Sequence, residues 1–227
     1  GETSVDVAVC FSSLATVQVM KGVNTTPTTV AMKDLQVGDK VLTSKGTYQP
    51  VYAFGHYHPS RNAEFLQITT TQHDQTKETL EITSEHLVYR SGSTEPVRAG
   101  SIRVEDDLVT SEEKQAARVT KISTVTREGM YAPLTVDGTL VVNGVVASSY
   151  VALLNDVADE ENMIQWNLLG VTVSQQDYVH LGLAPYRLFC QGVSSQLCNI
   201  RTNDGYPYYV AFAIEFTKWA HHLENPM

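Results

Sequence analysis

Five side chains suited to nucleophilic chemistry are spread along the first part of the sequence. Cys10 stands near the N-terminus, Thr83 and His86 follow a predicted strand, and His56 and His58 lie in a segment that its Gly and Pro residues predict as a loop. A thiolate is a strong nucleophile, and an imidazole can take the thiol proton or assist a leaving group. The residue types therefore indicate attack by a Cys–His pair. Spacing alone does not show that they meet, and a buried structural Cys is the alternative.

Short strands are the elements that must position these residues. Apolar residues alternate at 16–19, 80–82 and 119–122, with turns rich in Gly, Asn and Thr between them, which is typical of an all-β fold. The segment 139–146 (TLVVNGVV) has an Asn-Gly turn between two apolar runs, and this pattern predicts a β-hairpin.

An internal repeat is also present. Residues 35–42 (LQVGDKVL) resemble residues 102–109 (IRVEDDLV), 67 positions later, with one Val and one Asp identical. Each copy leads into another predicted strand, at 51–54 and at 119–122. The repeat predicts a duplicated β-unit.

Beyond about residue 150 the pattern changes from strand to helix. An acidic segment at 155–162 precedes a helical pattern at 175–191, in which Pro185 is expected to cause a kink or to start a new helix. A second pattern at 208–223 has a clear apolar stripe. This face would bind lipid, lie on a membrane surface or pack on the β-domain. Its aromatic residues are Tyr209, Phe212, Phe216 and Trp219.

Charge and cysteine content restrict the function classes. The chain has 16 Lys and Arg against 25 Asp and Glu, a formal charge of −9, which argues against a nucleic-acid partner. Cys190 and Cys198 could form a disulfide or remain reduced, which leaves Cys10 unpaired. A glycosylation sequon at Asn24 favours the secretory pathway or the extracellular space. Residues 1–9 lack the pattern of a signal peptide and are interpreted as the end of an upstream segment.

Several of these motifs, taken in order, resemble the Hint module of Hedgehog C-terminal autoprocessing domains. The motifs are Cys10-Phe11, residues 35–42, Thr83-x-x-His86-Leu87, Ala132–Thr135, Gly138–Val142 and Val145–Tyr150. The tail, through 180–188 and 208–222, resembles the sterol-recognition region of the same proteins. The resemblance implies a mostly β Hint fold of pseudo-twofold duplicated β-units, followed by a small α-helical annex. The implied boundaries are 1–9 for the upstream tail, 10–152 for the Hint domain and 153–227 for the lipid-recognition region.

The same resemblance implies a two-step self-cleavage. The Cys10 thiol would attack the Val9 carbonyl to form a thioester, and a sterol or other lipid alcohol would release the upstream segment as an ester. His86 would protonate the Cys10 nitrogen, Thr83 would hydrogen-bond and strain the Val9–Cys10 peptide, and His56 would be the base for the acceptor hydroxyl. No cofactor is implied, although zinc could inhibit by bridging Cys10 with His56 or His86.

The sequence departs from the family pattern at three positions. Val9 replaces a Gly and would slow transfer to a bulky sterol, His56 replaces an Asp, and Ser149 replaces a second Cys. His58 is the second choice for the base, and Ser149 could hydrogen-bond near the site. Two alternatives stay open: water as the acceptor, and a Hint-fold binding module that does not cleave. Intein-like splicing is not expected, because Ser148-Ser149 stands where an intein has its terminal Asn.

Overall fold

The computed structural model describes most of the chain. The residues it describes are 9–22, 25–93, 95–111, 115–151, 166–168, 171–173, 175–192 and 197–215.

Strands dominate this part of the chain. In chain order they are β1 (Phe11–Ser12), β2 (Thr16–Met20), β3 (Thr28–Ala31), β4 (Lys40–Leu42), β5 (Tyr48–Thr71), β6 (Lys77–Ile82), β7 (His86–Val88), β8 (Val97–Arg98), β9 (Asp107–Val109), β10 (Ala116–Thr135), β11 (Thr139–Val142), β12 (Val145–Val151), β13 (Trp166–Leu168) and β14 (Val171–Val173). The helices are α1 (Gln175–Gly182), α2 (Ala184–Gly192) and α3, which covers 208–215 of the described residues. The main sheet has the order β8-β7-β12-β11-β2-β4-β5-β6-β1-β10-β9, with β3 beside β2.

The two longest strands, β5 and β10, form the main strand pair of the β-domain. They pair antiparallel from Thr71 opposite Arg118 to Val51 opposite Thr135, with four irregularities in register. The prediction of a loop around His56 and His58 is therefore wrong, because both residues lie within β5. Pro59 is compatible with a strand because it lies at one of these irregularities, where its missing N–H breaks no regular ladder bond.

The predicted hairpin at 139–146 is confirmed. Strands β11 and β12 pair from Val142 opposite Val145 to Thr139 opposite Ser148. The turn residues Asn143 and Gly144 have φ values of 45° and 76°, and positive φ at both central positions defines the hairpin turn that Asn-Gly favours.

The duplicated β-unit is visible in the backbone geometry. In both copies an Asp side chain accepts a hydrogen bond from the main-chain N–H three residues earlier, at 3.0 Å for Asp39 and 2.8 Å for Asp106. The residue before each Asp, Gly38 or Glu105, has a positive φ, 97° and 76°. A 3₁₀ turn precedes each copy, and the following strands β5 and β10 are the ones that pair with each other.

The helices pack on one end of the β-domain. As Pro185 predicted, the helical pattern is broken just before it, between α1 and α2. A second cluster of buried side chains joins the two parts, and includes Tyr52 and Leu134 from the β-domain with Val179, Leu183 and Tyr186 from the helical part. A disulfide joins Cys190 and Cys198. The short β13–β14 hairpin was not predicted.

Two further observations concern the C-terminal part. Phe216 and Trp219, like Asn24, lie outside the described residues. Within the part of the chain that the structure describes, every helix is too short or too polar to cross a bilayer.

Candidate active site

Cys10 is fully buried and directly precedes β1, which lies between two other strands. The next residue, Phe11, pairs with Tyr131 of β10 on one side and Ile82 of β6 on the other. Thr83, which directly follows β6, makes a reciprocal pair of hydrogen bonds with Cys10. Its Oγ1 accepts from the Cys10 N–H at 3.0 Å, and its own N–H donates to the Cys10 carbonyl at 3.0 Å. The Val9–Cys10 peptide is thereby held at a fixed place in the core.

The Cys10 thiol contacts a histidine directly. Its Sγ atom lies 2.9 Å from Nδ1 of His56, which is 2% exposed. The opposite ring nitrogen, Nε2, lies 2.7 Å from the carbonyl oxygen of Asp204. Burial raises the pKa of the Cys10 thiol, an effect that the positive charge of Arg61 only partly offsets. The resting thiol is therefore protonated, and His56 is the group placed to take its proton.

His86, the first residue of β7, packs against Phe11. Its main-chain N–H donates to the Thr83 carbonyl at 3.1 Å, and its ring centre lies 4.2 Å from that of Phe11. Its Nε2 donates to the Ser148 carbonyl at 2.8 Å, whereas its buried Nδ1 has no hydrogen-bond partner among the described residues. Burial lowers the pKa of His86 to about 4, with a smaller opposing effect from the Ser148 carbonyl, so the ring is neutral near pH 7.

The two secondary candidates do not reach the thiol. His58 lies further along β5, and its ring centre is 6.5 Å from that of His56. Ser149 directs its hydroxyl to Oγ1 of Thr135 at 3.1 Å. Because Thr135 donates its own proton to the Thr139 carbonyl, Ser149 is the donor of this pair. Of the predicted residues, the structure thus brings Thr83 and His56 into contact with Cys10, and it places His86 against Thr83 and Phe11.

A mostly apolar cavity of about 260 Å³ opens beside the Cys10–His56 pair. The β-domain contributes Val9, His56 and Leu134 to its wall. The helical part contributes Val179 of α1 and Leu183 between α1 and α2. Helix α3 contributes Tyr209 and Phe212, two of the residues predicted to bind lipid.

One part of the site was missed from the sequence. Residues 201–207 bring Asp204 and Tyr206 against His56, with the Tyr206 ring stacked on the imidazole at a centre distance of 4.3 Å. The composition of residues 203–207 (NDGYP) is typical of a turn, but no local signal connects it with a residue 148 positions earlier. The described residues contain no cluster of three or more His, Cys, Asp or Glu side chains suited to a metal ion. Inhibition by zinc stays a prediction.

Comparison with known proteins gives a consistent result. The family model of the Hint module matches residues 2–220. Warthog protein 6 of Caenorhabditis elegans is 32% identical over 152 residues, which cover 62% of this chain and 24% of that protein. Protein hedgehog of Drosophila erecta is 30% identical over 188 residues, 79% of this chain and 35% of that protein. The chain thus spans about a third or less of the length of these two relatives.

Solved structures of inteins also resemble this chain. A DnaB intein from Synechocystis sp. PCC 6803 covers 63% of this chain and 100% of its own, with 9% identity and a TM-score of 0.49. A bacterial intein-like domain from Clostridium thermocellum covers 61% of this chain and 97% of its own, with 20% identity and a TM-score of 0.48.

Proposed function

This chain belongs to the Hint module family and is a Hint/intein-like self-processing domain similar to that of Hedgehog, and from that premise we propose that it cleaves its own backbone before Cys10 through a thioester. The segment that ends at Val9 would then be transferred to a lipid alcohol. The observation that carries the proposal is the 2.9 Å contact between the Cys10 thiol and the His56 imidazole, directly after the Val9–Cys10 peptide bond.

The first step exchanges an amide for a thioester. His56 Nδ1 takes the proton of Cys10 Sγ, and the thiolate attacks the Val9 carbonyl carbon. The S–C bond forms, the C–N bond between Val9 and Cys10 breaks, and the Cys10 nitrogen gains one proton. Sulfur loses one proton to His56 and nitrogen gains one from a second acid. These protons balance once His56 has released its proton to solvent and that acid has taken one up, and no other reactant is needed.

His86 is proposed to deliver the proton to the leaving nitrogen. Its Nδ1 is the buried ring nitrogen without a partner among the described residues, and its ring packs beside the Cys10–Phe11 segment. His86 is neutral near pH 7 and must first take up a proton at Nδ1. Because its pKa is about 4, the resulting imidazolium is a stronger acid than an ordinary one and gives that proton readily to an amine. Thr83 holds the departing N–H at 3.0 Å and so orients the nitrogen toward this exchange.

The second step uses His56 again. The thioester is a better acyl donor than the amide, and a hydroxyl entering from the cavity would lose its proton to His56 Nδ1. The O–C bond to Val9 forms, the S–C bond breaks, and the Cys10 thiolate regains a proton. The cavity reaches both partners, because Val9 and His56 are part of its wall.

The wall of the cavity supports a lipid alcohol as the acceptor. A water molecule occupies only about 30 Å³, whereas this cavity measures about 260 Å³ and is lined largely by aliphatic and aromatic side chains. Such a lining binds a ring system or a chain that carries one hydroxyl, as in a sterol. Leu134, Leu183 and Phe212 would contact the apolar body while the hydroxyl faces His56.

A membrane surface is the proposed source of that alcohol. Large apolar side chains on the annex are unusually exposed, with Leu188 at 69% and Phe212 at 68%, and Phe189, Leu197, Ile200 and Tyr208 are exposed beside them. Exposed apolar surface of this kind is typical of protein or membrane contact. This proposal places the reaction in the secretory pathway, where the Cys190–Cys198 disulfide also forms most readily.

Intact-mass measurement of the 227-residue chain tests the proposal. The chain is incubated with hydroxylamine, with sterol micelles or with neither, and Cys10→Ala is the control. Hydroxylamine is preferred to a thiol because it attacks thioesters without reducing the disulfide. We expect release of residues 1–9 with hydroxylamine, and release of the same peptide as its sterol ester with micelles.

The other outcomes separate the alternatives. Release of the free acid at equal rates with and without sterol would identify water as the acceptor. No Cys10-dependent release under any condition would contradict the proposal and leave a non-cleaving binding module.

A further inference from the structure

The loop at 201–207 joins the helical annex to the catalytic histidine. We propose that this loop, called here the annex clamp, is a positioning element that holds the His56 ring in the tautomer able to accept the Cys10 proton. The inference rests on the proposed function, because it assigns a further structural requirement to the same site. It means that the annex is needed for thioester formation as well as for acceptor binding.

Internal hydrogen bonds give the annex clamp its shape. Arg201 and Pro207 form an isolated antiparallel bridge, which closes the base of the loop. Inside it, the Thr202 N–H donates to the Tyr206 carbonyl at 2.8 Å, and the Gly205 N–H donates to the Thr202 carbonyl at 3.0 Å. A loop closed by its own backbone presents its tip in one conformation.

The tip is attached to β5 at two successive residues. The carbonyl oxygen of Asp204 lies 2.7 Å from His56 Nε2, and the carbonyl oxygen of Gly205 accepts a hydrogen bond from the Tyr57 N–H at 3.0 Å. The Tyr206 ring stacks on the imidazole with 25° between the planes. These contacts fix both the position and the rotation of the His56 ring.

The Asp204 carbonyl also decides which ring nitrogen carries the proton. A carbonyl oxygen only accepts hydrogen bonds, so His56 Nε2 must be the donor of the 2.7 Å contact. In the neutral ring Nδ1 is then unprotonated, and it is the atom 2.9 Å from the Cys10 sulfur. After proton transfer, the same carbonyl faces the Nε2–H of an imidazolium and stabilises its charge. The opposite tautomer would present an N–H to the thiol and could not take its proton.

Gly205 is the residue on which the annex clamp depends most closely. Its φ is +87°, and a Cβ at this position would lie 2.5 Å from the Tyr57 carbonyl oxygen and 3.2 Å from Cδ2 of His56. Any side chain there must therefore push the tip away from β5. Gly192, at the end of α2, is a matched control, because a Cβ added to it meets no described atom within 4 Å.

Two measurements on the full chain test the inference. In a Cys10→Ala background, which stays uncleaved, the ring ¹⁵N shifts of His56 report its tautomer. We expect a single Nε2–H form in the parent and in Gly192→Ala, and a mixture in Gly205→Ala. With Cys10 present, hydroxylamine-dependent release should be at least tenfold slower in Gly205→Ala and in Tyr206→Leu, whereas Gly192→Ala should stay within twofold. Tyr206→Phe keeps the stacked ring, so its rate of hydroxylamine-dependent release should fall less than that of Tyr206→Leu.

The outcomes distinguish this inference from the proposed function. An unchanged His56 tautomer together with unchanged release in both loop variants would overturn the role of the annex clamp and leave self-cleavage intact. If Gly205→Ala does not fold, as judged by circular dichroism, the two Tyr206 variants decide by the same release assay. If the parent never releases its peptide but the tautomer still changes in Gly205→Ala, the proposed function fails and the positioning role stands.

Discussion

The Sγ atom of Cys10 lies 2.9 Å from Nδ1 of His56, although the two residues are 46 positions apart in the chain. Strand β10 makes this contact possible, because it pairs with β1 through Tyr131 and with β5 through Ala132, opposite His56. Because Tyr131 and Ala132 are adjacent on β10, their pairings with β1 and β5 bring the thiol and the imidazole together.

Removal of the His56 imidazole should disable the thiol. We expect His56→Gln to slow hydroxylamine-dependent release by about 100-fold or more, since general-base assistance contributes factors of that order. His58→Gln is the matched control on the same strand and should stay within about threefold, because His58 does not contact the thiol. Equal losses in the two variants would mean that either change acts through folding of β5.

Substitution of Val9 by Gly should accelerate transfer. Val9 is part of the cavity wall beside the attacked carbonyl, and a β-branched side chain crowds the approach of the acceptor. We expect sterol-dependent release to be severalfold faster in Val9→Gly, with a smaller change in hydroxylamine-dependent release because hydroxylamine is small. Equal acceleration by both nucleophiles would indicate that Val9 limits the first step instead.

A bulky residue in the cavity should slow transfer to the sterol without slowing thioester formation. Ala213 of α3 is part of the cavity wall, whereas Ala211 on the same helix is not. Ala213→Trp should lower sterol-dependent release at least tenfold and leave hydroxylamine-dependent release within threefold, while Ala211→Trp should change neither by more than threefold. Unaffected sterol transfer in Ala213→Trp would show that the acceptor binds elsewhere.

The buried His86 should make the fold sensitive to acid. Its pKa is about 4 in the folded chain and about 6.5 when unfolded. As the pH falls, the unfolded chain therefore binds a proton at His86 at a higher pH than the folded chain does. The free energy of unfolding consequently falls as the pH drops from about 6.5 to about 4. The loss attributable to this residue is roughly 3 kcal/mol at most.

Urea unfolding at pH 7 and pH 4.5 measures this effect. The drop between the two pH values should be smaller in His86→Gln than in the unchanged chain, and the comparison removes the acid effects that both proteins share. An identical drop would show that His86 is protonated in the folded state.

The disulfide should stabilise the annex. It closes a loop between Cys190 and Cys198, eight positions apart, and a loop of that size restricts the unfolded chain by about 2–3 kcal/mol. We expect the Cys190→Ser, Cys198→Ser double variant to have a free energy of unfolding lower by about that amount. Equal urea midpoints with and without the disulfide would contradict this.

Local patterns were sufficient for much of the fold. The Asn-Gly hairpin and the repeat of residues 35–42 at 102–109 were both predicted, because turn chemistry and strand alternation depend on near neighbours. The placement of His56 in a loop was wrong for the same reason. Gly55 and Pro59 are breakers by local criteria, but pairing with β10 from Val51 to Thr71 outweighs that preference.

The sequence by itself determined the family and the residues that carry the chemistry, since these follow from residue type and order. Only the tertiary structure decided that His56 faces the thiol, that the Asp204 carbonyl, 148 positions away, holds its other nitrogen, and that an apolar cavity opens beside Val9. Each of these depends on contacts between residues remote in the chain. Strand pairing and helix docking create such contacts, and no local pattern encodes them.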